Sequence, residues 1–109
     1  KQFYLKARPE DVVLIDSPVG LPGRGIMSPL VKRLFEGEDL RPDSCDSCLK
    51  KCSKTFCIFK ALIKAQQGDI ETGLIFSGER VGEINEILSV KEIFKKLLRE
   101  MEEAESGVQ

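Results

Sequence analysis

Apolar positions in this chain come in short runs, separated by polar stretches and by stretches rich in glycine and proline. The run Val12-Val13-Leu14-Ile15 is apolar throughout and rich in β-branched residues, the pattern of a strand buried on both faces. It is the only strand the pattern predicts. Before it, Lys1 to Arg8 reads as the end of a helix stopped by Pro9, with Phe3 and Tyr4 as apolar contacts. After it, Ser17 to Gly25 contains two prolines and three glycines, and a rigid loop without regular structure is expected there.

Helical periodicity takes over downstream. Ser28-Pro29 supplies an N-cap and a proline at the first helical position, predicting a helix over Ser28 to Glu36 with Leu30, Leu34 and Phe35 on its apolar face and Gly37 at its end. Glu38 to Ser44 is a polar connection. A second helix is predicted over Cys57 to Gln67, where Ile58, Ala61, Leu62 and Ala65 share a face and Gly68 fits the C-terminal cap. Asp69 is expected to cap a short helix through Leu74-Ile75-Phe76, broken by Ser77-Gly78. Ser89-Val90-Lys91-Glu92 has the form of a capping box. It opens a helix over Val90 to Glu105 that carries Ile93, Phe94, Leu97, Leu98 and Met101 and fades into a polar tail, Glu102 to Gln109. The expected fold is an α-rich α/β one, mostly helices with one short strand, and there is no internal repeat.

Length and charge narrow the function classes. A chain of 109 residues makes one domain or part of one. Seventeen basic residues are balanced by eighteen acidic ones, which argues against a nucleic-acid partner. No apolar run is long enough to span a bilayer, and the N-terminal residues do not read as a signal peptide. With no histidine, the chain has neither an imidazole base nor an imidazole metal ligand. It begins at Lys1, so a piece of a longer chain is expected. Four cysteines fall short of the density of a secreted disulfide scaffold, and a cytoplasmic location is expected.

Those four cysteines, Cys45, Cys48, Cys52 and Cys57, lie within thirteen residues in the spacing C-x2-C-x3-C-x4-C. Four thiolates can complete a tetrahedral zinc site or hold an iron–sulfur cluster. One short run of ligands is closer to iron–sulfur ligation than to a zinc ribbon, whose ligands come as two separated pairs. Lys50, Lys51 and Lys54 lie between the thiols and would offset an anionic centre. Two alternatives stand beside the metal: free thiols packed as small apolar residues, and disulfides.

Several motifs, in order, resemble one family. They are Leu14-Ile15-Asp16-Ser17-Pro18-Val19-Gly20-Leu21-Pro22-Gly23-Arg24, then Cys45-x2-Cys48-Leu49-x2-Cys52 and Cys57-Ile58-x2-Ala61-Leu62. Gly68-Asp69-x3-Gly73-Leu74-Ile75-Phe76-x-Gly78 and Ile87-x2-Val90-Lys91-Glu92 follow. Together they resemble the C-terminal region of the nitronate monooxygenases, formerly 2-nitropropane dioxygenases, a family that includes the flavin-type enoyl-acyl-carrier-protein reductases. The resemblance covers nearly the whole chain. It implies an FMN-dependent (β/α)8 barrel of roughly three times this length, whose catalytic histidine and phosphate-binding glycine loops lie upstream of these residues. It also implies that Ser77, Gly78 and Glu79 pass close to the flavin ring. Many relatives have Ala-Gly-Gln or Cys-Gly-Ser there, and this chain departs from both beyond Gly78.

Two functions are therefore expected to compete. One is the C-terminal part of an FMN oxidoreductase acting on a small-molecule nitronate or enoyl thioester, inactive without its N-terminal barrel portion. The other is a small cysteine-rich module in which zinc or an iron–sulfur cluster organises the fold without catalysis. Arg24 is a candidate contact for a phosphate or carboxylate, with a surface ion pair as the plainer alternative.

Overall fold

A computed structural model describes residues 1–107. Among them are four α-helices and one two-stranded antiparallel sheet, a small helix-rich arrangement. Helix α1 (Gln2–Lys6) ends before Pro9 and leads through a 3-10 turn at Pro9–Asp11 into β1 (Val12–Asp16). Strand β2 (Pro22–Ile26) returns antiparallel, pairing Val12 with Ile26 and Asp16 with Pro22.

The hairpin corrects two expectations. Val12–Ile15 is not a lone strand buried on both faces: Ile15 is buried, whereas Leu14 is 61% exposed. The hairpin meets core on both faces near the Val12–Ile26 pair, Ile26 lying in one cluster and Ile15 and Val13 against the other, whereas nearer the turn the face carrying Leu14 and Arg24 meets solvent. Nor is Ser17 to Gly25 irregular throughout, because its second half is β2. Pro22 stands first in that strand, where a proline is tolerated. The glycines admit close neighbours. A Cβ on Gly25 would lie 2.6 Å from Ile15 Cδ1, and one on Gly23 would lie 2.7 Å from the Phe76 ring.

Helix α2 (Pro29–Phe35) starts as expected, with Ser28 Oγ accepting from the Val31 N–H at 3.4 Å. Ser28 is buried, and its hydroxyl also donates to the Gly73 carbonyl at 3.5 Å, fastening the start of α2 to the distant segment before Phe76. Helix α3 (Ile58–Gln66) follows the cysteine segment and closes on Gly68, which takes φ +88° just past its end.

Asp69 does not cap a helix through Leu74-Ile75-Phe76. Its carboxylate accepts from the Glu71 and Thr72 backbone N–H groups and from the Thr72 hydroxyl, which holds a tight turn. The chain leaves this turn extended. The Ile26 N–H donates to the Ile75 carbonyl at 2.8 Å and the Ser77 N–H to the Arg24 carbonyl at 3.1 Å, so residues 75–77 lie along β2 like a third strand. Local helical spacing around Leu74 lost to this pairing.

The core forms two clusters. Ile15, Leu30, Val31, Phe56, Ala61 and Leu74 make one; Ile26, Ile75 and Val81 make the other, with Phe3, Tyr4 and Ala65 packed against it. Helix α4 (Val90–Ser106) has Ser89 Oγ accepting from the Glu92 N–H, one half of the expected capping box, and contributes no buried residue. The helix continues through the first part of the expected polar tail; Val108 and Gln109 lie outside the described residues.

Gly73 and Gly78 separate packing from permissiveness. A Cβ on Gly73 would sit 2.8 Å from the Ala65 backbone, which cannot move without disturbing α3, whereas one on Gly78 meets nothing within 4 Å. Gly73→Ala should therefore destabilise the fold by about 1–3 kcal/mol, and Gly78→Ala should leave the thermal midpoint nearly unchanged. Equal shifts for the two variants would contradict this packing.

Candidate functional site

Two groups of residues invite a functional reading: the segment carrying the four cysteines, and the end of the hairpin where Arg24 meets Ser77. The first runs from the end of α2 to the start of α3 without a regular element. Irregular stretches of this length are uncommon in compact domains and usually serve a function. Few bonds hold it. The Ser53 N–H donates to the Pro18 carbonyl at 2.9 Å, and Lys60 Nζ to the Ser44 carbonyl at 2.9 Å. Phe56 anchors its end at 2% exposure in the larger core cluster.

All four cysteines are free thiols. Cys45 and Cys48 are exposed, and Cys52 and Cys57 are half-buried, Cys57 as the N-cap residue of α3. All four line one open cavity of about 1150 Å³, together with Lys50, Lys51, Lys54, Ser17 and Pro18. Among the described residues no three Cys, Asp or Glu side chains stand together as a metal-ligand set. The thiols thus line one cavity without forming a ligand set. The donor chemistry suits a thiophilic metal; the ligand geometry is not assembled.

The backbone of this segment has its own regularity. Ser47 and Lys54 adopt positive φ, at 54° and 60°, and are the only non-glycine residues among those described that do so. Such residues are uncommon. Each stands two positions after a cysteine, Cys45 and Cys52. At the first, the Ser47 N–H turns back to donate to Cys45 Sγ at 3.4 Å.

The second group is assembled by the strand-like pairing. Ser77 is half-buried, while Arg24, Gly78 and Glu79 are exposed. The Ser77 hydroxyl donates to the Gly78 carbonyl at 3.0 Å, and the Tyr4 hydroxyl donates to the Phe76 carbonyl at 2.8 Å, bracing the segment from α1. Arg24 forms no ion pair among the described residues, so the surface-pair alternative finds no partner there. The space beside Gly78 is open, with nothing within 4 Å of a Cβ placed there.

Sequence reasoning missed three parts of these sites: the Pro18 carbonyl that ties the cysteine segment to the hairpin, the lysine hold of Lys60 on Ser44, and the Tyr4 brace. All join residues far apart in the chain, and no local pattern marks them. No protein-family model matches the chain, and a search of curated proteins returns no significant match.

At the mouth of the cysteine segment Arg41 clasps Asp39, with Nε and Nη2 donating to the two carboxylate oxygens at 2.9 and 2.8 Å. These bonds, followed by the Arg41 backbone N–H, hold the Asp39 carboxyl down from 3.8 to about 2. A depressed folded-state value means the clasp contributes fully above the ordinary value and is lost as pH falls through about 2. Both groups are exposed, so its worth to stability is small. A carboxyl titration by NMR should find Asp39 well below 3.8, near 2, and Arg41→Ala should return it toward 3.8.

Proposed function

We propose that this chain is the C-terminal part of an FMN-dependent oxidoreductase similar to the nitronate monooxygenases. Chain outside these residues supplies the barrel, and the piece is inactive alone. One observation carries the reading. Arg24, the candidate anion contact, closes the proline- and glycine-rich segment, and Ser77-Gly78-Glu79 is the stretch that the resemblance sets beside the flavin. They are distant in sequence and directly hydrogen-bonded, Ser77 N–H to Arg24 C=O. Arg24 carries an exposed cation on the solvent face of the hairpin, suited to an anionic substrate such as a nitronate. Leu14, exposed on that face, and Leu21, exposed in the connection before β2, suit a surface that packs against further chain.

FMN supplies the redox chemistry of such an enzyme when bound. This chain would contribute one flank of the site and a positively charged side chain to orient substrate. The test has two arms. The 109-residue chain, titrated with FMN and assayed with a nitronate or with an enoyl thioester and NAD(P)H, should bind weakly and show no turnover, since one flank cannot offset the cost of ordering the ligand. The full-length gene product should purify with flavin absorbance and consume nitronate. A colourless, inactive full-length product overturns the reading.

A second reading rests on a separate observation, the single cavity shared by four thiols and three lysines. Here the chain is a small structural module that captures zinc or an iron–sulfur cluster. Metal capture would draw the thiols together and order the segment, because site assembly and folding are coupled. Broad brown absorbance reports a cluster, and stoichiometric zinc by elemental analysis reports the other metal. Cys48→Ser should then lose metal and lower the thermal midpoint together. Unchanged stability on chelation and in this variant leaves free thiols, of which only Cys52 and Cys57 are part-buried.

A further inference from the structure

Helix α4 presents an apolar stripe that no other described residue covers. Val90, Ile93, Phe94, Leu97, Leu98 and Met101 are between 51% and 69% exposed. Their spacing puts them on one face, the pattern of a helix that packs. A 17-residue helix is about 25 Å long and is marginal in water without such packing.

The charges on α4 run against its own dipole. Lys91, Lys95 and Lys96 stand in its first half with Glu92 as the only acid, and Glu100, Glu102, Glu103 and Glu105 stand in its second half with Arg99 as the only base. Anionic groups are favoured at a helix N-terminus and cationic groups at its C-terminus, so this distribution disfavours the isolated helix. A second helix laid antiparallel reverses that. Each basic half then meets an acidic half, and the two dipoles oppose.

We propose that α4 is a self-association element through which two copies of this chain pair antiparallel. About a two-fold axis near Leu98, Lys91 faces Glu105 of the second copy, and Lys96 faces Glu100 of the second copy. Residues flanking the apolar stripe on the same side of each helix are brought together by that axis. Parallel pairing would set lysine against lysine and glutamate against glutamate. An anionic membrane surface is disfavoured by the four glutamates of the second half. The inference does not depend on the flavoenzyme reading. Two helices of this length bury less than a standard interface, so a reversible dimer with Kd on the order of 10 μM is expected.

Sedimentation equilibrium of the 109-residue chain under reducing conditions, which excludes disulfide-linked dimers, tests this. Monomer and dimer should interconvert over ~1–100 μM, with the dimer favoured at low salt. Leu97→Asp should weaken association at least tenfold while α4 stays helical by circular dichroism. Lys91→Glu and Glu105→Lys should each weaken it about threefold to tenfold, because symmetry places each contact twice, and the double variant should restore it. A chain that stays monomeric to ~1 mM leaves the stripe to another occupant and overturns the proposal. A dimer indifferent to Leu97→Asp, or one not rescued by the double charge swap, does the same.

Discussion

The pairing of residues 75–77 with β2 is the constraint on which the rest of the molecule depends. It joins the hairpin to the segment after α3 through two backbone hydrogen bonds, Ile26 N–H to Ile75 C=O and Ser77 N–H to Arg24 C=O. Consecutive residues of an extended segment point to opposite faces. Leu74 therefore enters the cluster with Ile15, Val31 and Ala61, while Ile75 enters the one with Ile26 and Val81. One short extended segment thus supplies a buried side chain to each core. Gly25 makes this possible, since a Cβ there would stand 2.6 Å from Ile15 and 3.1 Å from the Ile75 carbonyl. Ser28 fastens the same segment from α2 through the Gly73 carbonyl.

How legible the structure was in the sequence follows from which forces act locally. Ser28 and Ser89 cap their helices and Gly37 and Gly68 follow helix ends, because capping is settled within one turn of chain. The expected and observed bounds of α2, α3 and α4 accordingly differ by about one residue at each end. Strand β2 was hidden because its residues, Pro-Gly-Arg-Gly-Ile, have poor strand propensity and pair only through partners on both sides. The misread helix around Leu74 has the same origin. A short apolar run fits either structure, and the choice was made by a strand edge elsewhere in the chain.

The cysteine segment shows a different limit. Its spacing announces a shared purpose, and the four thiols do line one cavity. Whether thiols line a cavity or form a ligand set depends on backbone turns that residue types barely encode. Ser47 and Lys54 take left-handed conformations without being glycine or asparagine, each two positions past a cysteine. Such conformations cost about 1–3 kcal/mol and persist where surrounding structure over-determines them. Here that structure is thin: one backbone bond to Pro18, a lysine hold on Ser44, and the buried ring of Phe56. The two left-handed residues therefore stand on a light frame, which is why residue types alone did not foretell the path of this segment.

Both the open hairpin face and the bare stripe of α4 follow from the smallness of the core. Among the described residues, nine buried apolar ones, divided between two clusters, must offset most of the conformational entropy of folding. Chains of this size leave much of their apolar surface uncovered even when well packed. Here Leu14, Leu21 and the α4 stripe remain outside both clusters altogether. Covering them would add burial without ordering more of the core, and the two faces call for different partners. The hairpin face surrounds an unpaired arginine and adjoins an open glycine turn, which suits a pocket wall. The α4 stripe is flanked by charges that are mismatched to their own helix and matched to its reversed copy, which suits self-recognition. The same shortage of interior thus leaves two surfaces, and the charge beside each one sets what can complete it.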